Sequence, residues 1–417
     1  MQRLIFHVDV NSAYLSWEAV RRVKEGGEDL RQIPSAIGGD PEKRTGVILA
    51  KSIPAKKYNV RTGEPVAMAL RKCPQLVLAR PDFRLYERNS KAFMNICRRY
   101  TPAVEKFSID ECFLDMSDSG RLYPDPVGTA HDIKRAIREE LGFTVNVGIS
   151  RNKLLAKMAS DFEKPDKVHT LFPEEIAQKL WPLPVGELFL VGHATAEKLN
   201  HAGIVTIGDL AQADVRKIQA VLGQKPGGQL HDYANGIDPS PVLTQPEEAK
   251  GYSVSTTLAE DVTTMEEASH ILLELADSVT SRMRADHARA FCISVSIRTN
   301  HFVNRSHQKK LDEATDITKE VYEVARELLR ELWKGRVPLR LLGISLMQIV
   351  RGDAVQMSFF KDEEREKARK LDRALDDIRN RYGPDTVKRG AGYQTTIEVG
   401  KKYRAQMEEK ERQNGKN

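Results

Sequence analysis

The chain has 417 residues, of which 40% are hydrophobic, 30% charged and 6% aromatic. At about 100–200 residues per domain, that length calls for two to four domains and excludes a single small binding module. The 65 basic and 59 acidic side chains leave a formal charge of +6, which suits a nucleic-acid partner and many basic enzymes equally.

No apolar run approaches the roughly 18 residues of a membrane span. Residues 1–10 read as a short strand with polar His7 and Asp9 inside it, not as an export signal. The expectation is a cytoplasmic protein without membrane attachment. Cys73, Cys97, Cys112 and Cys292 are far apart in sequence, with no CxxC pair and no neighbouring His cluster. That pattern argues for a reducing compartment, against a zinc site and against a disulfide framework.

In chain order, the strand at 4–10 is followed by a helical stretch at 12–24, a Gly- and Pro-rich loop reaching Gly46, and a strand at 46–50. Residues 86–101 form a helix with Phe93, Ile96, Cys97 and Tyr100 on one stripe. Residues 103–116 alternate as a hairpin around Asp110-Glu111. A helix at 128–141, a strand at 144–149 and a helix at 152–162 continue an α/β alternation up to Lys164-Pro165. Residues 172–236 read as short helices. From Tyr252, strands at 252–257, 291–298, 303–311 and 339–350 enclose two amphipathic helices in β-α-β-β-α-β order, the pattern of a compact α+β domain. The residues after Gly352 are mostly charged, with one apolar island.

Asp9, near the end of a buried strand, and Asp110-Glu111, between two apolar arms, place three carboxylates where a carboxylate is costly unless paired or metal-bound. Magnesium takes such hard oxygen ligands, and two ions sharing carboxylates serve in-line phosphoryl displacement. Neighbouring strand residues point to opposite faces, so Asp110 and Glu111 can act together only at a turn or bulge, which the hairpin is expected to contain. Alone, Asp9 reads first as a helix cap and Ser108–Glu111 as an ordinary turn.

Four motifs occur in order: Asp9-Val10-Asn11-Ser12-Ala13-Tyr14, Tyr100-Thr101-Pro102-Ala103-Val104-Glu105, Ser108-Ile109-Asp110-Glu111-Cys112-Phe113-Leu114-Asp115, and Gly148-Ile149-Ser150-Arg151-Asn152-Lys153-Leu154-Leu155-Ala156-Lys157 with Lys164-Pro165. Together they resemble the Y family of translesion DNA polymerases over roughly residues 1–350. The resemblance implies a multidomain α/β and α+β right-hand polymerase: palm (1–11 and 82–170), small fingers (12–81), helix-hairpin-helix thumb (171–240), linker (241–250), β-α-β-β-α-β little finger (251–350) and C-terminal tail (351–417). It implies low-fidelity, template-directed addition of deoxynucleoside triphosphates to primer-template DNA in damage repair and the SOS response. The chain is expected to act as a monomer. The alternative from the same resemblance is a catalytically inactive DNA-binding scaffold.

By the same resemblance, Asp9, Asp110 and Glu111 are the catalytic acids and, with the Val10 carbonyl, bind two Mg²⁺. Asn11, Ser12, Ala13, Tyr14, Lys56 and Lys164 line the nucleotide site, with Tyr14 the steric gate under the sugar. Ile53 and Lys56 depart from the Tyr and Arg common in the family; Lys supplies a point charge where Arg supplies a fork. Ala13 stands where many relatives carry a second aromatic. Val191, Gly192, His193, Ala194 and Thr195 begin a helix-hairpin-helix whose backbone N–H groups suit a DNA phosphate. Arg298, Arg305, Lys309 and Lys310 are candidate phosphate contacts on the little finger. Gln356, Phe359 and Phe360 resemble the short peptide by which bacterial polymerases grip the sliding clamp.

Overall fold

The computed structural model describes residues 3–40, 46–245, 247–352, 362–383, 386, 387 and 389. The chain divides into two compact units, residues 1–39 with 47–246, and residues 40–46 with 247–417. The division after residue 246 falls inside the linker expected at 241–250. The clamp-like peptide Gln356, Phe359 and Phe360 lies outside the described residues.

The first unit contains β1 (Ile5–Val10), β2 (Ser35–Gly38), β3 (Ile48–Lys51), β4 (Val77–Ala79), β5 (Val104–Lys106), β6 (Glu111–Asp115), β7 (Val145–Ser150) and β8 (Val168–Thr170). They form a five-stranded sheet of order β5-β6-β1-β7-β8 and a three-stranded sheet of order β3-β2-β4. Central β1 is antiparallel to both β6 and β7. Its residues divide by parity. Phe6, Val8 and Val10 enter a core built with Leu15 and Trp17, Phe93 and Ile96, and Ile133 and Ile137 of three helices, Ala13–Lys24, Phe83–Cys97 and Pro126–Leu141. Each fully buried side chain of this kind contributes about 1.5–3 kcal/mol. Ile5, His7 and Asp9 occupy the opposite face, where the helix Lys153–Asp161 crosses.

Gly148 permits that crossing. It pairs with His7, and a Cβ there would meet the Ala156 carbonyl at 2.0 Å and the Ser160 nitrogen at 2.4 Å. Any larger residue would lift the helix off the sheet and carry Lys157, Ser160 and Asp161 away from β1. The other side of this helix, with Leu154, Leu155 and Met158, joins a core with Leu180, Leu199, Ile207, Leu210 and Ile218 from the short helices that follow.

The second unit has β9 (Gly251–Val262), β10 (Ala288–Thr299), β11 (Asn304–Thr315) and β12 (Leu339–Arg351) in the antiparallel order β11-β10-β12-β9. Helices Met265–Ala285 and Thr318–Leu332 cover one face, giving the expected β-α-β-β-α-β order.

Several elements differ from the sequence reading. β2 lies inside the stretch read as a loop, and its pairing with β3 and β4 outweighs the surrounding Gly and Pro. The helix Asp362–Tyr382 occupies a segment read only as charged. It docks through ion pairs, so apolar periodicity gave no sign of it. Cys97 and Cys112, distant in sequence, bring their sulfurs to 3.8 Å in the buried core as free thiols.

Candidate active site

Asp9 sits near the end of β1, 5% exposed, and its register partner across the antiparallel pair is Glu111, the first residue of β6. Such partners share a face, with Cβ atoms about 4.5–5.5 Å apart. Asp110 precedes the strand, inside a turn closed when the Phe107 and Ser108 N–H groups both donate to the Glu111 carbonyl at 3.1 Å. The turn is the device that alternation required. The Ser108 hydroxyl donates to Asp110 Oδ1 at 2.6 Å, and the Val10 N–H donates to the Asp110 carbonyl at 3.0 Å, tying the turn to β1.

The three acids lie in one another's field. Burial pushes Asp9 up to about 6; Lys164 opposes this, while Glu111 and Asp110 add to it. Burial also raises Asp110, opposed by the Ser108 hydrogen bond and reinforced by Glu111. Glu111 behaves differently: burial would raise it, but His7 and Lys157 outweigh burial and hold it down at about 2. Lys157 Nζ is 3.1 Å from Glu111 Oε1. His7 Nε2 stands 3.8 Å from Glu111 Oε2, beyond hydrogen-bonding range, and burial lowers the His7 pKa, so this leg acts only while the imidazole carries its second proton. The Ser160 hydroxyl donates to the Lys157 carbonyl at 2.7 Å, so at 2.7 Å it accepts from His7 Nδ1–H.

Hard oxygen donors held in mutual repulsion at a partly buried strand end and its adjoining turn fit divalent cations such as Mg²⁺. Among the described residues, no three Asp, Glu, His or Cys side chains gather around one point. Each acid is drawn to its own partner instead: Asp9 to Lys164, Asp110 to Ser108 and Glu111 to Lys157.

Around this centre, Ser12 turns β1 into the following helix with φ 47° and ψ 51°, and its carbonyl accepts the Ser16 N–H at 2.9 Å. The Asn11 side chain is fully engaged: Nδ2 donates to Asn146, and Oδ1 accepts from the Thr144 hydroxyl and the Asp166 N–H. Buried Ala13 leads to half-buried Tyr14, whose ring stacks on Tyr86 at 4.6 Å and 16° and meets Phe83 edge-on at 6.2 Å. Lys56 is exposed on a one-turn helix, Ile53–Lys56, capped by Ser52. Val191 is buried, while Gly192, His193 and Ala194 lie exposed at the start of helix His193–His201, with Thr195 next to them.

The four cations of the second unit separate by strand parity. Ile293, Val295 and Ile297 face the helices and pair with Lys309, His307 and Arg305. Lys309 Nζ reaches Glu327 of helix Thr318–Leu332 at 2.8 Å. Arg305 and Lys309 therefore lie on the helix side of β11. Arg298 and Lys310 lie on the open face with Ser294, Ser296, Ser306 and Gln308. β11 is polar on both faces, so composition could not set this parity. Sequence reasoning also assigned no role to His7, Lys157 or Asp161. A polar residue inside an apolar strand marked His7, and the motif containing Lys157 was recognised only as a whole.

The chain matches a solved Y-family DNA polymerase chimera with TM-score 0.72 and 23% identity, covering 84% of this chain and 100% of that one. The fold is therefore the right-hand polymerase fold of the Y family, with palm, fingers, thumb and little finger. Residues 8–161 match the impB/mucB/samB family, residues 249–359 its C-terminal domain, and residues 187–238 the thumb domain described for DNA polymerase-iota. The chain is 47% identical over 390 residues to a DNA polymerase IV of Clostridium acetobutylicum, covering 93% of this chain and 98% of the relative. It is 38% identical over 400 residues to that of Clostridium kluyveri, covering 94% and 98%. The chain belongs to the Y family of DNA polymerases, in the impB/mucB/samB group.

Proposed function

We infer that the chain is a template-directed DNA polymerase of low fidelity that adds deoxynucleotides to a primer 3′-hydroxyl in translesion synthesis and repair. The observation that carries this reading is Asp9 and Glu111 as cross-strand partners, with Asp110 in the adjoining turn adding to the charge on Asp9 beside Lys164, in a chain of this family.

Asp9, Asp110 and the Val10 carbonyl, with Glu111, would hold two Mg²⁺. Bound there, the ions would supply charge stabilisation to the oxygens of an in-line displacement. The residues do the rest. Lys164 and Lys56 take triphosphate oxygens as point charges. Asn11, from beneath, fixes the loop that carries Lys164 by accepting the Asp166 N–H. Tyr14, braced by Tyr86 and Phe83, closes the space a 2′-hydroxyl would need.

The palm, fingers, thumb and little finger take the bounds given above. Backbone N–H groups from Gly192 to Thr195, together with Arg298 and Lys310 on the open sheet face, suit phosphates without regard to sequence. Gln356, Phe359 and Phe360 would take the sliding clamp. A monomeric cytoplasmic enzyme serving the SOS response completes the reading. Primer extension with Mg²⁺ on undamaged and lesion-bearing templates tests it: extension on both supports it, and DNA binding without any incorporation would overturn it.

A further inference from the structure

We propose that Lys164 is a resident counter-ion that holds Asp9 in the free enzyme and yields it to a divalent cation when a triphosphate draws the ammonium away. The proposal rests on the polymerase reading of this site and concerns the order in which its charges are exchanged.

Asp9 is almost wholly buried among two other acids. A buried carboxylate without a counter-charge costs several kcal/mol, so the free protein needs a cation at that position. Lys164 provides it: Nζ contacts Asp9 Oδ2 and lies 2.8 Å from Asp161 Oδ1. A divalent cation on this carboxylate would stand beside the ammonium, and the repulsion between the two like charges sets them in competition for Asp9.

The backbone that carries Lys164 does not need to move. The Glu163 carbonyl accepts from Asn146 Nδ2 at 2.6 Å, and the Lys167 N–H donates to Asn146 Oδ1 at 3.2 Å. The Asp166 N–H donates to Asn11 Oδ1 at 2.9 Å, while Lys134 and Arg138 pair with Asp166. The loop is thus fixed on both sides of Lys164, by Asn146 on β7, by Asn11 just past β1 and by the helix Pro126–Leu141. Only the four-carbon side chain is left to swing, and a lysine trades partners more readily than an arginine fork.

The other lysine of the site shows why Lys164 is the one that moves. Lys157 Nζ pairs with Glu111 at 3.1 Å but lies 5.7 Å from the Phe107 ring centroid and 5.6 Å from that of Phe189, with only 11% of its side chain exposed. The Lys164 side chain is 37% exposed, and its second partner, Asp161, is 43% exposed. Lys157 is walled in; Lys164 stands at the rim with a path to an incoming polyanion. A triphosphate offers several charge-assisted hydrogen bonds in exchange for one. Nucleotide binding and cation binding then support each other reciprocally, as coupled sites must.

Mn²⁺ binding to the full chain without nucleotide or DNA, followed by electron paramagnetic resonance of the free ion, tests the proposal. Wild type should bind weakly, and Lys164→Gln should bind at least about fivefold more tightly, the lower end of typical couplings. Lys164→Arg, which restores a cation, should return affinity toward wild type, and Asp9→Asn should remove the site in either background. If Lys164→Gln binds no more tightly while Asp9→Asn still removes the site, the proposal is overturned and the polymerase site stands. If Asp9→Asn leaves Mn²⁺ binding untouched, the assignment of the acids fails, and the proposal with it.

Discussion

Two clusters of buried charge, one in each unit, are built in different ways. In the first unit, three carboxylates face two lysines and a histidine, and burial drives Asp9 and Asp110 upward. In the second, Asp372 accepts the Thr318 N–H at 2.8 Å and pairs with Arg284 and Arg389. Asp376 takes Arg284 at 2.7 Å, and Asp277 takes Arg379 at 2.7 Å and Arg389 at 3.1 Å. Every acid there has at least one guanidinium, and Arg284 is held charged against burial chiefly by Asp376. Planar forks with their partners in place make a permanent joint. Point charges beside under-paired acids make a site that can exchange one cation for another.

The contrast can be broken at several points. Asp110→Ala should have the largest effect, lowering single-nucleotide incorporation by about 10⁴-fold, some 5 kcal/mol, with primer-template affinity near wild type. Rapid-quench kinetics and a filter-binding titration measure the two quantities. Asp372→Ala should leave the chemistry alone and lower unfolding stability by about 1–3 kcal/mol, since it leaves the buried Thr318 N–H without its acceptor and takes one of two carboxylates from Arg284 and from Arg389. A loss below about 0.5 kcal/mol in urea unfolding would show that the second cluster is not a joint. Tyr14→Ala should raise the ribonucleotide-to-deoxynucleotide ratio of kcat/KM at least about tenfold, worth 1.4 kcal/mol; an unchanged ratio would make Tyr14 a packing residue only. The smallest effect belongs to the open face of the second unit. Arg298→Ala or Lys310→Ala should each reduce the salt slope of DNA binding by about 1, and Lys309→Ala by less, because Lys309 is engaged by Glu327.

Much of this was legible in the residues. The parity of Leu4–Val10 gives β1 its two faces, and the adjacent acids Asp110 and Glu111 demand the turn that is found before β6. The alternating runs after Tyr252 give the order of the second unit. What could not be read depends on partners distant in sequence. β2 becomes a strand through β3 and β4, and the parity of Arg305 and Lys309 is set by β10 and a helix beyond them. His7 reaches Ser160 only because Gly148 lets a helix press against the sheet. The helix Asp362–Tyr382 has ion pairs where an apolar stripe would have announced it.

If the first cluster is kept for chemistry at the expense of stability, a single substitution should move the two in opposite directions. Asp9 has its folded pKa raised to about 6 from 3.8. The native state therefore holds that proton more tightly, and the stability this contributes is present below about pH 4 and lost as pH rises through 6. Asp9→Asn has no such loss. Its unfolding free energy without metal should match wild type near pH 4 and exceed it above pH 6 by on the order of 1–3 kcal/mol, with a higher melting temperature there. The direct measurement is primer extension and metal-free thermal unfolding on the same Asp9→Asn preparation at pH 7.5. Loss of extension with a higher melting temperature is the predicted result, and retained extension, or a melting temperature below that of wild type, would contradict it.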